Sequence, residues 1–202
     1  MKIKHVKDKA EQYWSLTKKL VAFSCVWALI FSLVTITRLG VAFDYDETLV
    51  FSTPAFQKAF TNGSQPFSTG FWSIVNQSYE LERPKVVPYT LAWAFRLFGF
   101  RVTVFSARPP VDAEPLRKEW RRLVPRDQFV FVPDERAKQQ HLQNGNYILY
   151  FGDSDADIEQ ARKARVYPVR ILRSRRALHK DDYRPGYFKE LVIPWSEYAL
   201  SV

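Results

Sequence analysis

Two aspartates, Asp44 and Asp46, stand two positions apart directly after an apolar run from Leu39 to Phe43. The run has the length and character of a short buried strand. Because open α/β sheets bind ligands beyond the carboxyl ends of their strands, both carboxylates are predicted to lie in a ligand-binding crevice. Two carboxylates so close together are costly to desolvate, and a shared cation or a reaction that needs both would offset that cost. A solvated turn or a helix N-cap is the structural alternative.

Strand and helix patterns alternate regularly after Pro84. Such alternation predicts right-handed βαβ units and a parallel, doubly wound α/β sheet. The predicted helices cover residues 84–98, 114–123, 135–142 and 158–165, and the predicted later strands cover 101–105, 128–132, 147–151 and 167–172.

Residues 51–83 separate the first strand from this regular part. They are rich in turn formers and aromatic residues and lack sustained periodicity, which predicts an irregular, cap-like insertion. Its aromatic side chains are either ordinary core or a surface that stacks on the ring of a substrate.

Four further residues with useful chemistry follow the later strands: Ser106, Lys138, Asp153 and Asp157. A doubly wound sheet brings the strand ends to one edge, so these groups are predicted to converge with the two aspartates. Taken singly they are weak signals, since Ser106 suits a plain turn and Lys138 a solvated surface. Together they are what phosphoryl transfer through an aspartyl-phosphate requires.

The chemistry assigns a role to each group. Asp44, at the immediate strand end, is the predicted nucleophile, and Asp46 is the acid that protonates the leaving alcohol and later activates water. Lys138 is predicted to neutralise the phosphoryl oxygens, while Ser106 and the backbone amide of Ala107 donate hydrogen bonds to them.

A cation is needed because a phosphate dianion cannot approach two carboxylates without compensation. Mg²⁺ suits this role, with Asp44 and Asp153 as side-chain ligands and the carbonyl of Asp46 as a third. Asp157 is predicted to orient Lys138 or a metal-bound water from behind. The sixth and twelfth positions of a calcium loop starting at Asp153 would be Ile158 and Ala164 rather than Gly and Glu, which argues against an EF-hand.

The composition is that of a globular protein with a net charge of +9. Basic residues are spread along the chain, with a denser run at Arg170, Arg173, Arg175 and Arg176. No nucleic-acid-binding motif accompanies them, so most are predicted to be solvated and no nucleic-acid polymer is expected as a partner. The single cysteine, Cys25, cannot form an internal disulfide, so cysteine content does not distinguish an oxidising from a reducing cellular compartment.

The N-terminus carries six lysines within residues 1–19, followed by seventeen uncharged residues, 20–36. As a helix the uncharged run would be about 26 Å long, slightly short of a hydrocarbon core of about 30 Å. This pattern predicts a signal peptide or a membrane anchor over residues 1–37, with residues 38–202 as the folded domain. The absence of a clean cleavage site favours an anchor. Because Ile36 lies only eight positions before Asp44, a buried helix is the alternative.

These motifs resemble those of the haloacid dehalogenase (HAD) superfamily of phosphohydrolases. Within it the chain looks most like the bacterial class B acid phosphatases, over about residues 40–200. The resemblance rests on FDYDETLVFSTP at 43–54, Phe71-Trp72, Ser-Ala-Arg at 106–108, YFGDSD at 150–155, RILR at 170–173 and Ser-Glu-Tyr at 196–198.

The resemblance implies a HAD-like fold and a periplasmic, Mg²⁺-dependent acid phosphatase acting on nucleotides and aryl phosphates, with phosphotransferase activity and a homotetrameric assembly. It also implies Asp44 and Asp46 as catalytic residues and Asp44, Asp46 and Asp153 as the metal site. The substrate-binding positions would be Ser106, Ala107, Arg108 and Lys138.

The chain departs from the family pattern in three places. Glu47 replaces an Asp, Ser106-Ala107 replaces Thr-Gly, and almost no segment stands between the apolar run and the first strand. The last departure concerns a segment of the kind that contributes to assembly in such enzymes. The competing functions are a phosphotransferase of the same fold and a non-catalytic, membrane-tethered binding protein.

Overall fold

The computed structural model describes residues 2–200, without the side chains of residues 2–11 and of Glu135. The lysines among the first eleven residues, which precede the apolar run in the sequence, therefore lie outside the described side chains. The chain forms two compact units, the first ending at Arg38 and the second beginning at Leu39.

The first unit is a single helix, α1, from Lys2 to Thr37. Its segment Gln12–Thr37 has a mean hydropathy of 2.3, and 6 % of that segment's most apolar stretch is buried. Large apolar side chains such as Leu29 and Leu33 are more than half exposed. The predicted apolar N-terminal helix is confirmed, and it is long and apolar enough to cross a membrane, a property it shares with signal sequences.

The second unit is built on a six-stranded sheet in which every neighbouring pair is parallel. This confirms the predicted doubly wound α/β fold. The strands are β1 Gly40–Asp44, β4 Arg101–Ser106, β5 Phe129–Phe131, β6 Tyr147–Gly152, β7 Tyr167–Ile171 and β8 Leu191–Ile193, in the spatial order β5-β4-β1-β6-β7-β8. The last of these, β8, escaped prediction because a three-residue, half-exposed edge strand leaves almost no pattern in the sequence.

Register places the functional strand ends side by side. Asp44 at the end of β1 is level with Phe105 on β4, and Phe43 is level with Phe151 on β6. All five residues of β1 are buried, as expected for a central parallel strand. Asp44, Ser106 and Asp153 consequently emerge at the same edge of the sheet.

The predicted cap-like insertion after β1 is present, but its predicted irregularity is wrong. Two nine-residue helices, α2 Thr53–Thr61 and α3 Thr69–Gln77, pack on each other, and a short hairpin of β2 Val50–Phe51 with β3 Arg83–Pro84 closes the insertion at its base. The helices bury a small apolar cluster of Ala55, Ala59, Phe71 and Val75. Short helices with aromatic residues on several faces hide the 3.6-residue period that would have revealed them.

The remaining helices cover the two faces of the sheet near their predicted positions. The helix predicted from Pro84 begins instead at Val86, because Arg83 and Pro84 belong to β3. These helices are α4 Val86–Leu97, α5 Glu114–Trp120, α6 Glu135–Asn144 and α7 Asp155–Lys163.

Arg170 on β7 is completely buried, which corrects its predicted place in a solvated basic run. Its guanidinium donates hydrogen bonds to the Asp155 carboxylate at 2.8 Å, the Glu190 carboxylate at 2.9 Å and the Asp153 carbonyl at 2.6 Å. Arg173 is also largely covered, whereas Arg175 is exposed. Arg170 therefore ties β7 to the loop after β6 and to the residue before β8.

We expect Arg170→Leu to destabilise the full-length chain by about 3–5 kcal/mol, because it leaves the buried Glu190 carboxylate without its cation. Urea denaturation followed by tryptophan fluorescence measures the loss. Arg175→Leu, the same change at an exposed position, should stay within about 0.5 kcal/mol of wild type. Equal stabilities for the two variants would contradict a structural role for the Arg170 ion pairs.

Candidate active site

Asp44 and Asp46 lie on a sharp turn at the end of β1. Glu47 adopts a left-handed φ of 52°, and the Leu49 amide donates to the Tyr45 carbonyl at 3.0 Å. The turn opens onto a cavity of about 360 Å³, within the usual size range for small-ligand sites. Of the predicted site residues, those that line it are Asp44, Asp46, Ala107, Lys138, Asp153 and Asp157.

Lys138 of α6 bridges the carboxylate of Asp44 to that of Asp157 in the first turn of α7. Its Nζ donates to Asp44 Oδ1 at 3.1 Å and to Asp157 Oδ1 at 2.8 Å. The hydroxyl of Tyr150 donates to the same Asp157 oxygen at 2.7 Å, and Asp157 forms a capping box with Ser154 at the start of α7. Asp157 is thereby fixed in place and holds the lysine ammonium against Asp44.

Three carboxylates, those of Asp44, Asp153 and Asp157, each offer an oxygen within 4.8 Å of the others. Burial raises the pKa of Asp44 well above its ordinary value, and the charges of Asp157 and Asp153 raise it further against the opposing effect of Lys138. Although burial opposes it, Lys138 and hydrogen bonds from Tyr150 and Ser154 hold the pKa of Asp157 below its ordinary value. A buried set of hard oxygen donors with unfavourable mutual repulsion fits a divalent cation.

Asp153 is held from two sides. Thr48 Oγ1 donates to its Oδ1 at 2.9 Å, and Arg173 Nε donates to its Oδ2. Arg173 also lines the cavity, although sequence reasoning gave it no function. The signals for it were its place in the basic run and in the RILR stretch that ends just after β7.

The side chain of Asp46 does not belong to the cluster of three carboxylates and pairs with Arg108 instead. Arg108 Nε donates to Asp46 Oδ2 at 3.0 Å and Nη2 donates to Oδ1 at 2.5 Å. Nη2 also contacts Glu82 Oε1 at 2.5 Å. Arg108, predicted to bind substrate, is 1 % exposed and does not line the cavity, and its Nη1 has no hydrogen-bond partner among the described residues. Nothing in the local sequence around Glu82 predicted this contact.

Ser106 is the last residue of β4, and Ala107 follows it. Ser106 is completely buried, and its Oγ accepts the Arg108 amide at 3.3 Å. Ala107 lines the cavity and lies outside the left-handed region, so the missing glycine causes no backbone strain there.

Glu47 ties the turn to the insertion. Its Oε1 accepts hydrogen bonds from the Thr53 amide at 3.0 Å and the Thr53 hydroxyl at 2.9 Å, at the N-terminus of α2. Burial raises the pKa of Glu47 to about 7. The buried Lys85 ammonium donates to the Glu47 carbonyl at 2.5 Å and to the Leu172 carbonyl at 2.6 Å, which braces the turn from below.

Comparison with curated proteins decides the family. The chain is 31 % identical to a class B acid phosphatase of Klebsiella pneumoniae and 30 % identical to one of Salmonella typhimurium, with 79 % of this chain and 73 % of each relative covered. The chain belongs to the class B acid phosphatases. As a member of that family the enzyme is a hydrolase and a phosphomonoesterase, and the predicted resemblance is confirmed.

Solved structures agree on the fold. A HAD hydrolase of Entamoeba histolytica is 13 % identical, with a TM-score of 0.52 and coverage of 80 % of this acid phosphatase and 95 % of that chain. A Thermotoga maritima protein described as a β-phosphoglucomutase is 12 % identical, with a TM-score of 0.51 and coverage of 78 % and 95 %. No family model matches the chain.

Proposed function

We propose that this phosphatase hydrolyses small phosphomonoesters with the help of Mg²⁺, through a covalent phosphate on Asp44. The observation that carries the proposal is the position of Lys138, whose ammonium lies 3.1 Å from Asp44 and 2.8 Å from Asp157 beside an open cavity. A cation so placed can neutralise phosphoryl oxygens at the moment the nucleophile attacks.

Asp44 and Asp153, with the carbonyl of Asp46, would hold the Mg²⁺ ion. Bound there, the ion offsets the repulsion between the carboxylates and the phosphate and polarises a phosphoryl oxygen. Asp157 supports the site through Lys138, because its oxygens already accept four hydrogen bonds, from Lys138, Tyr150 and the amide and hydroxyl of Ser154.

The chain's own residues divide the reaction between them. Asp44 Oδ1 accepts the bond from Lys138, while Oδ2 accepts no hydrogen bond from a described residue and is available to attack phosphorus. As the Asp44–phosphorus bond forms, the ester P–O bond breaks and its electron pair passes to the leaving oxygen. Asp46 gives that oxygen a proton, then takes one from the water that hydrolyses the acyl phosphate, which regenerates both carboxyl groups.

Small phosphomonoesters are the substrates that the cavity supports. It is about 360 Å³ in volume and is lined by Phe56 and His179 next to the carboxylates. Nucleotides and aryl phosphates would place a ring near Phe56. Most of the insertion's other aromatic side chains pack on one another, as in the Phe60–Phe71 pair at 4.8 Å.

We further propose that α1 directs the enzyme to the bacterial periplasm and tethers it to the membrane through residues 20–36. The apolar stretch Gln12–Thr37 and the lysines before it support this orientation, because basic flanks stay cytoplasmic. A homo-oligomer stays a prediction.

Hydrolysis of p-nitrophenyl phosphate tests the proposed function. The purified full-length chain in detergent should release p-nitrophenolate with Mg²⁺ between pH 5 and 8 and stop when EDTA is added. Absence of hydrolysis over the whole range would overturn the proposal, and transfer of phosphate to an added alcohol would extend it to phosphotransfer.

A further inference from the structure

We propose that Glu82 is a positioning residue for the proton-transfer step: it anchors Arg108, and Arg108 in turn holds the Asp46 carboxylate in the orientation that serves the leaving group. This inference rests on the proposed function, since it assigns to Asp46 the acid role described above. Glu82 lies in the insertion, directly after a short helical turn over Tyr79–Leu81.

Glu82 is buried, with 8 % of its surface exposed, and both of its oxygens are engaged. Oε1 accepts from Arg108 Nη2 at 2.5 Å, and Oε2 accepts from the Tyr45 hydroxyl. Trp120 Nε1 donates to that hydroxyl at 3.2 Å, so the carboxylate is fixed from two directions. A buried carboxylate this well satisfied has one defined position.

Arg108 links Glu82 to Asp46, because its guanidinium donates to both carboxylates. Its side chain is 1 % exposed, and its guanidinium lies 5.0 Å from the Tyr45 ring and 5.2 Å from the Phe56 ring. The guanidinium is planar, and Nη2 donates to Glu82 as well as to Asp46. The hydrogen bond to Glu82 therefore fixes the plane in which Nε and Nη2 point at Asp46. Without Glu82, Asp46 would be the only carboxylate paired with this buried cation in the described structure.

Of the three residues in this chain of contacts, Asp46 is the one that lines the proposed substrate cavity. Its side chain is 26 % exposed and lines the cavity, whereas Arg108 and Glu82 are almost fully covered. Its Oδ1 accepts Arg108 Nη2 at 2.5 Å and its Oδ2 accepts Arg108 Nε at 3.0 Å, so the position of Arg108 sets where Oδ2 lies relative to the leaving group. Misplacing this oxygen by about 1 Å can slow proton transfer substantially.

The leaving group reveals whether Glu82 acts through Asp46. p-Nitrophenolate departs as a stable anion and needs no proton, whereas the alkoxide of an alkyl phosphate does. The ratio kcat/KM reports the steps up to leaving-group departure, and kcat also includes hydrolysis of the phosphoenzyme, in which Asp46 acts as a base for every substrate.

The experiment compares Glu82→Gln with wild type on p-nitrophenyl phosphate and on β-glycerophosphate, with Mg²⁺ present. We expect kcat/KM for β-glycerophosphate to fall at least about tenfold, because general acid catalysis contributes about 10²–10⁴-fold. On p-nitrophenyl phosphate kcat/KM should stay within about twofold of wild type while kcat falls. Tyr45→Phe, which removes the donor to Glu82, should show the same pattern more weakly.

Glu80→Gln is the matched control, since Glu80 is an exposed carboxylate two positions before Glu82, and it should leave kcat/KM for both substrates unchanged. An equal loss of kcat/KM on both substrates, or no loss on either, would overturn the positioning role. The near-normal kcat/KM on p-nitrophenyl phosphate also shows that the variant is folded. Failure of the proposed function would look different, because wild type itself would then hydrolyse neither substrate.

Discussion

Asp44→Asn is expected to abolish hydrolysis of p-nitrophenyl phosphate, with a loss of at least about 10³-fold in kcat. An amide cannot form the covalent phosphate, even though Asn has the shape of Asp and can keep a contact with Lys138. The initial rate with saturating Mg²⁺ measures the effect. Acid-quenched enzyme should also carry phosphate in wild type and none in the variant.

The stability of Asp44→Asn provides the control. Burial and the charges of Asp157 and Asp153 raise the pKa of Asp44, so its ionised form disfavours the folded state. Without metal at neutral pH the asparagine variant should therefore melt at the same temperature as wild type or higher. If the variant is inactive and also melts at a much lower temperature, the loss of activity is due to misfolding. If the variant retains activity, the role of Asp44 is refuted.

The second large effect concerns the divalent cation. We expect Mg²⁺ to stabilise the wild-type enzyme by about 2.7 kcal/mol at a concentration 100 times its Kd, because it binds the folded carboxylate site and not the unfolded chain. Asp153→Asn should weaken Mg²⁺ affinity by at least about tenfold, as expected when a ligand or its support is lost. Thermal melting over a Mg²⁺ titration measures binding without reference to activity.

Asp127→Asn is the matched control for this titration, because it removes the same charge from an exposed position. Its Mg²⁺ response should equal that of wild type. A wild-type melting temperature that is unchanged by Mg²⁺, or an unchanged response in Asp153→Asn, would contradict the proposed metal site. Activity should follow the same titration and return when excess Mg²⁺ is added after EDTA.

The amino-acid sequence by itself determined the parallel α/β fold and the strand ends that carry Asp44, Ser106 and Asp153. These follow from local signals: a buried strand needs a continuous apolar run, helices need a 3.6-residue period, and right-handed crossovers then bring the strand ends to one edge. The convergence of Lys138 with the first aspartate, 94 residues earlier, followed from that rule alone.

Tertiary structure alone decided which charged groups are partners. The contact between Arg108 and Glu82 spans 26 residues, and that between Arg173 and Asp153 joins two different strand ends, so no local pattern encodes either. The sequence also did not reveal the burial of Arg170, because an arginine becomes buried only when distant parts of the chain cover it. The two helices of the insertion were missed because a short segment becomes helical only when it packs on a distant surface. Packing turned the paired aspartates from a motif into a site in which Lys138 faces Asp44 and Arg108 faces Asp46.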